Sequence, residues 1–551
     1  MKKKLLPALI VTGLIILVVI IMGITALINK YTPTKKTEDL KEYFNISSDD
    51  EAALIVDNEL SDYKAKIIDK KIYVDYKFVH DSLNSRFYWD ANENVLLYTT
   101  ASDIISAAAD SNSYSVTKQT NDFGYPIVKA TSDSALIALD YVKQYSNITF
   151  KSYDDPARVV ITSKWDEIDS ATVSKSTQVR VKGGIKSPIL KEVKKDDKIT
   201  ILDSGDKWDK IATEDGVIGY IKGKALSESK KTKLTNPDYE EETFTHIKKD
   251  KDICLAWNQV TSQSANSKVP QVISSTKGIN VMSPTWFYLN DNNGNLADIA
   301  SKDYVSYCHS QGIEVWGLFS NFENTDVDAA YVLTHTSTRT TLINQIMSAA
   351  FNYELDGVNI DFENITEAAY GDSYIEFIRE LSIKCHNNGI SLSVDVTVPA
   401  SFNKFFNRSD MAKFADYIVI MGYDEHYKGS DAGSVSSIPW VTEGVESTLK
   451  EVPADQIILG MPFYTRIWEL TPKEDDDAVT DTEDQSKYTV ASQVYSMDAA
   501  AAQLATNNAT AALNEESGQN YAEWSASNKL YKVWLEDNTS LENRLKLVDD
   551  N

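Results

Sequence analysis

From Asp252 onward the chain alternates between short apolar runs and longer stretches with a helical period. The runs are "ICLAWNQV" (253–260), "INVMSPTWFYL" (279–289), "EVWGLFSN" (314–321), "LDGVNIDFEN" (355–364), "SLSVDVTVP" (391–399), "DYIVIMGYD" (416–424) and "IILGMPFYTRIW" (457–468). Helical stretches at 299–311, 338–353, 368–388 and 443–450 separate several of them. Strands alternating with helices predict a parallel sheet. Several runs end in polar or aromatic residues, at the end where a (β/α)8 barrel builds its site. A doubly wound open sheet is the structural rival, but no glycine-rich phosphate loop follows any run to support it. The expected fold is α/β, a TIM barrel over residues 244–551.

Upstream of a polar linker (227–243) the rhythm changes. Residues 171–226 hold short strands, "TQVRVKGG", "KITILDSGDKWDKIAT" and "VIGYIKGKAL", broken by Gly and Asp turns, and predict a small all-β unit, which a resemblance given below implies is a barrel. Trp208 and Tyr220 either line a ligand groove there or close its core. Within 66–165, "FVHDSLNSRFYWDANENVLLYTT" (78–100) is echoed by "YVKQYSNITFKSYDDPARVVITS" (141–163). Each copy predicts a short helix, an aromatic strand, an Asp/Asn turn and an apolar strand, and a resemblance given below implies an α+β domain. Residues 31–65 are polar and helix-leaning, and read as a stalk.

Residues 1–30 carry the targeting signal. After Lys2–Lys4 come 24 residues without a charge, Leu5 to Ile28. As a helix they extend ~36 Å, beyond the ~30 Å hydrocarbon core of a bilayer. The shorter apolar core and small-residue cleavage site of a removed leader are not plain here. The expectation is an uncleaved single-pass anchor in the cell membrane. The leading lysines favour a cytoplasmic N-terminus, which places everything after Lys30 outside.

Composition narrows the partners. Against 81 acidic residues stand 55 basic ones, a net charge of −26. Phosphates are repelled by such a chain, which argues against nucleic acid. Three cysteines make no even disulfide framework, and six scattered histidines show no metal-ligand spacing, so no metal or cofactor is expected.

The fourth run holds the chemistry. Asn359, Asp361 and Glu363 alternate with Val358, Ile360 and Phe362. At a strand's period of 2, the polar three face the barrel interior and the apolar three face the helices. Burying an unpaired carboxylate costs several kcal/mol or raises its pKa, and no Lys or Arg lies nearby in the run to pair either acid. Two acids in such a row point to catalysis.

This pattern resembles the D-G-x-D-x-D-x-E signature of glycoside hydrolase family 18, the chitinase-like enzymes. The resemblance extends to "MGYD" (421–424), to "GMPFYTR" (460–466) with Thr465 where the family has Gly, and to "YKVWLEDNTSLENRLKLV" (531–548). Its flavour is that of the wall- and spore-lytic branch. "GDKWDKI" followed by "GYI" resembles the bacterial Src-homology-three-like domain, and 66–165 resembles the N-terminal stalk domain of copper amine oxidases, without a copper site.

The resemblance implies a retaining, substrate-assisted mechanism on a glycan. Glu363 would be the general acid. Asp361 would hold the N–H of the sugar's 2-acetamido group, Tyr423 would bond its carbonyl, and Asp424 would contact the same sugar. Catalytic candidates are therefore Glu363, Asp361 and Tyr423. Substrate-binding candidates are Asn359, Asp424, Trp286, Tyr464, Arg466 and Trp468, with Trp257 and Tyr288 as further cleft aromatics. Arg466 either contacts a sugar or pairs with a barrel carboxylate. Asn359 stands where the family has Asp, and is expected to donate its amide to Asp361. An ionised Asp361 is expected to raise the pKa of Glu363. The family's eighth strand is expected beyond Asn551, so the barrel lacks its last strand in this chain. The implied substrate is peptidoglycan, with chitin or N-glycans as alternatives, and the small β-barrel could contact wall peptide or glycan. From another class, the barrel could be a non-catalytic carbohydrate binder; such relatives commonly lose the acid, and Glu363 is present.

Overall fold

The computed structural model of the protein describes residues 2–363, 365, 368–473 and 485–551. They form two compact units, Met1–Trp89 with Ala107–Tyr114 and Thr120–Glu241, and Asp90–Ser106 with Ser115–Gln119 and Glu242–Asn551.

The first unit begins with the helix Lys2–Tyr31, whose stretch Leu9–Tyr31 is long and apolar enough to cross a membrane and is wholly exposed in the folded chain. Two seven-stranded sheets follow. One is antiparallel throughout and runs over 167–233, where the small all-β domain was expected. The other departs from the expectation for 31–65. That segment is no helical stalk: Glu51–Val56 pairs parallel with Arg158–Thr162 and antiparallel with Glu59–Ile68. The reason is the run "AALI" (52–55), buried on both faces, which shows no alternation to mark it as a strand. The internal repeat folds locally as read, with helix, strand and strand at Tyr76–Ser82, Phe87–Asp90 and Val95–Thr99, and again at Leu139–Gln144, Thr149–Tyr153 and Arg158–Thr162.

The second unit is built on seven parallel strands that neighbour one another in chain order: Leu255–Asn258, Val281–Leu289, Glu314–Ser320, Gly357–Asp361, Ser391–Thr397, Tyr417–Met421 and Ile457–Gly460, the first to the seventh strand. The sheet curls on itself. A Cβ on Gly460, in the seventh strand, would lie 3.0 Å from the ring of Trp257 in the first. Trp316 of the third strand stacks on Tyr417 of the sixth at 5.6 Å between centroids, across the interior. Gly357 makes room for that layer, since a Cβ there would meet the Trp316 ring at 2.6 Å.

Odd and even positions divide cleanly. Val358, Ile360 and Phe362 join the core that the helices cover, with Phe362 5.5 Å from Phe377 of the helix Ala368–His386. Burying such side chains supplies ~25 cal/mol per Å2 of apolar area removed from water. The run 457–468 splits in two. Only 457–460 joins the parallel sheet, while Tyr464–Pro472 pairs antiparallel with Tyr488–Ser496 and Lys529–Trp534 in a separate five-stranded sheet.

Candidate active site

Asn359 anchors the polar layer at the carboxyl end of the curled sheet. Its Oδ1 accepts from Trp257 Nε1 at 3.0 Å and from Ser283 Oγ at 2.9 Å, on the first and second strands. Its Nδ2 donates to Ser393 Oγ at 3.0 Å and to Asp395 Oδ1 at 2.7 Å, both on the fifth. Those four bonds use the full capacity of an amide. Asn359 is completely buried. It therefore neither donates to Asp361 nor reaches a substrate, and both expectations are corrected. It instead ties four strands together.

Asp361 lies one rung further along, 9% exposed, and its Oδ1 has no hydrogen-bond partner among the described residues. Burial, reinforced by the charges of Glu363 and Glu323, pushes its pKa up to about 8. Glu363 is outermost and exposed, its backbone N–H donating to Asn321 Oδ1 at 3.0 Å. Partial desolvation raises its carboxyl above the usual range, with the charges of Asp424 and Glu323 next in effect. Asp361 and Glu363 repel each other, and the effect shows on Asp361, the deeper of the two acids.

Across the mouth, Tyr423 and Asp424 follow the sixth strand. Asp424 sits in the left-handed region, φ 60°, where a short polar side chain is tolerated. Its Oδ1 accepts from the Tyr464 hydroxyl at 2.8 Å and lies 3.6 Å from Arg466. Of the two readings of Arg466, pairing with a barrel carboxylate is the one seen. Tyr423 sets its ring edge-on to Trp257 and to Tyr464, each at 6.2 Å. Burial, then the charges of Asp395 and Asp361, hold its phenol protonated. The structure thus brings together Asp361, Glu363, Tyr423, Asp424, Tyr464 and Arg466, drawn from three loops and strands far apart in sequence.

Residues 317–551 match the model of the glycosyl hydrolases family 18. Over that stretch the chain is similar to family 18. A glycosylase of Bacillus subtilis, YvbX, is 25% identical over 33% of this chain and 55% of its own length. The cortical fragment-lytic enzyme of the same organism is 23% identical over 47% of this chain and 59% of its own. The chain thus spans between half and three fifths of these curated relatives. The solved spore cortex-lytic enzyme SleL of Bacillus cereus superposes with a TM-score of 0.46 at 19% identity, covering 54% of this chain and 67% of that one.

Two of the expected cleft aromatics are elsewhere in the second unit. Trp286 is fully buried, donates to Asn266 Oδ1 at 2.7 Å and packs on Tyr304 at 4.8 Å in the helix-covered core. Trp468 is 1% exposed, donates to the Gly433 carbonyl at 2.8 Å and clusters with Leu470, Tyr488 and Leu530. An indole whose N–H is satisfied inside a core offers no face to a sugar. Four solvent-facing aromatics follow the carboxyl ends of the third, fifth, sixth and seventh strands: Phe322, Phe402, Tyr427 and Phe463. Their position just past each strand end was the available signal. Also missed were Glu323, which accepts from Ser320 Oγ at 2.7 Å, and Asp395, which the alternation of "SLSVDVTVP" places inward.

Proposed function

We propose that the protein is a glycoside hydrolase that cleaves β-1,4 bonds at N-acetylglucosamine residues of peptidoglycan by a retaining, substrate-assisted mechanism, from a site held outside the cell membrane. The observation that carries this reading is the graded depth of one row: a buried Asp361 below an exposed Glu363, facing Tyr423 and Asp424 at the mouth.

The row suits the chemistry. Glu363, its carboxyl raised above the usual range by partial burial, gives its proton to the glycosidic oxygen as that oxygen leaves C1. The carbonyl oxygen of the substrate's own acetamido group forms the new bond to C1, so no protein nucleophile is needed. Asp361 holds the acetamido N–H and, in its ionised form, balances the positive charge that develops on the ring. Tyr423, a phenol that stays protonated, donates to the acetamido oxygen and turns it towards C1. Water then attacks C1 from the vacated face, the bond from C1 to the acetamido oxygen breaks, and Glu363 takes up the water's proton. The exposed Phe322, Phe402, Tyr427 and Phe463 offer faces for neighbouring sugars.

Peptidoglycan is preferred over chitin because the relatives of this chain include an enzyme described as lytic for cortical fragments. The apolar helix at 9–31 also fits a wall-facing enzyme. The test is product analysis on purified peptidoglycan and on chitin oligomers, with Glu363→Gln as control. The expected product carries N-acetylglucosamine at its reducing end. Glu363→Gln should lower turnover by ~10²–10⁴-fold while leaving oligomer binding largely intact. Muramic acid at the reducing end, or a variant with more than about a tenth of the activity, would reject the assignment.

A further inference from the structure

We propose that Asp395 is the proton-holding partner of Asp361: it keeps a proton across the gap between the fourth and fifth strands, and so leaves Asp361 as the single negative charge of the pair. The idea deepens the glycosidase reading, and rests on it only for what the charge does in catalysis.

The placement comes from strand register. The parallel pairs Asn359↔Ser393 and Ile360↔Val394 continue to set Asp361 beside Asp395, both on the interior face. Asp395 is 2% exposed. Its Oδ1 is taken by Asn359 Nδ2, while its Oδ2 has no partner among the described residues, nor has Asp361 Oδ1. Two buried carboxyls side by side, each with a bare oxygen, cannot both ionise; a retained proton satisfies one oxygen as donor and the other as acceptor.

Asp395 is the member that keeps it. It is the deeper of the two, and burial with the charges of Asp361 and Glu363 holds it well above the usual carboxylate range, offset only in part by the N–H groups of Asn359 and Trp257. Asp361 is pushed up to about 8, and so ionises first. The other titratable groups acting there are Glu363 just beyond the fourth strand, Glu323 beyond the third, Tyr423 beyond the sixth and Tyr374 on the helix Ala368–His386. None is a cation. Asn359 thus directs a neighbouring strand's acid into the role that its own side chain, unable to titrate, cannot fill. Asp395 is a positioning residue: it acts through Asp361.

Infrared difference spectroscopy of the full chain reads the proton directly, whether or not any glycan is cleaved. At about pH 9, a unit above Asp361, wild type minus Asp395→Asn should show one protonated-carboxyl band. Wild type minus Asp361→Asn should not. The reverse result would put the proton on Asp361 and overturn the proposal. The ionisation of Asp361 followed by the same bands should stay within about half a unit of wild type in Asp395→Asn, which keeps a donor. It should rise by ~1 unit or more in Asp395→Leu, which removes it. Equal midpoints in both variants would also overturn the pairing. Asp395→Asn and Asp361→Asn change no volume, so the band assignment stands even where Asp395→Leu fails to fold. Loss of activity with the bands as expected would count against the proposed function alone.

Discussion

Glu363 and Asp361 are chemically near-equivalent side chains two residues apart, and depth separates their surroundings. The outer carboxyl meets solvent; the inner one is nearly cut off from water, and burial pushes its pKa up to about 8. That shift also links folding stability to pH. An unfolded Asp titrates near ~3.9, so between that value and about 8 the folded chain binds the Asp361 proton more tightly than the unfolded chain does. The stability linked to that proton is fully present below about pH 4 and is lost as pH rises through about 8. Asp361→Asn removes the group that must ionise in the interior. Its melting temperature should therefore gain on wild type from pH 5 to about pH 8 and level off above it, as followed by scanning calorimetry. A difference that does not change with pH would mean that Asp361 is solvated in the native state.

At the scale of elements, periodicity was enough for the seven parallel strands and for the inward face of the fourth. Each strand lies inside a run marked by its apolar residues, because a buried parallel strand must be apolar on its helix side. Periodicity failed where a run continued through a change of partner. Nothing in "IILGMPFYTRIW" says that its first four residues join the parallel sheet while Tyr464 onward joins an antiparallel one; that choice is made by the strands 488–496 and 529–534, distant in sequence. For the same reason a tryptophan near a strand end could not be assigned to cleft or core from its own neighbourhood. Trp286 and Trp468 went to the core because Asn266 and Gly433, on other segments, supply acceptors for their indoles. Asp395 was missed although its alternation was visible, since one acid in a strand carries no message until Asp361 is set beside it by register. The two classes of aromatic separate by experiment. Trp468→Ala should cost ~3–5 kcal/mol in denaturant unfolding, as a buried large side chain does. Phe402→Ala, at a residue 78% exposed, should leave stability within ~0.5 kcal/mol and raise KM for long glycan chains several-fold. A stable Trp468→Ala with raised KM would restore that residue to the cleft.

At the scale of the whole chain, the helix Lys2–Tyr31 and the net charge act in opposite directions on membrane attachment. The segment Leu9–Tyr31 covers 23 residues, ~35 Å of helix against ~30 Å of hydrocarbon, and contributes nothing to the folded core. Left in water, its leucines, isoleucines and valines would form an apolar surface far larger than a soluble chain tolerates. The rest of the chain cannot supply adhesion in its place, because a net charge of −26 is repelled by an anionic lipid surface. Attachment through the helix should therefore resist high salt and yield only to detergent, whereas an electrostatic attachment would be released by salt. The full chain is expected in the membrane fraction after a high-salt wash. Deleting residues 2–28 should move it to the soluble fraction with glycan cleavage retained, since the deleted turns bury no core residue. If expression of the full chain instead yields a soluble species beginning after Tyr31, the helix is a leader that is cut away.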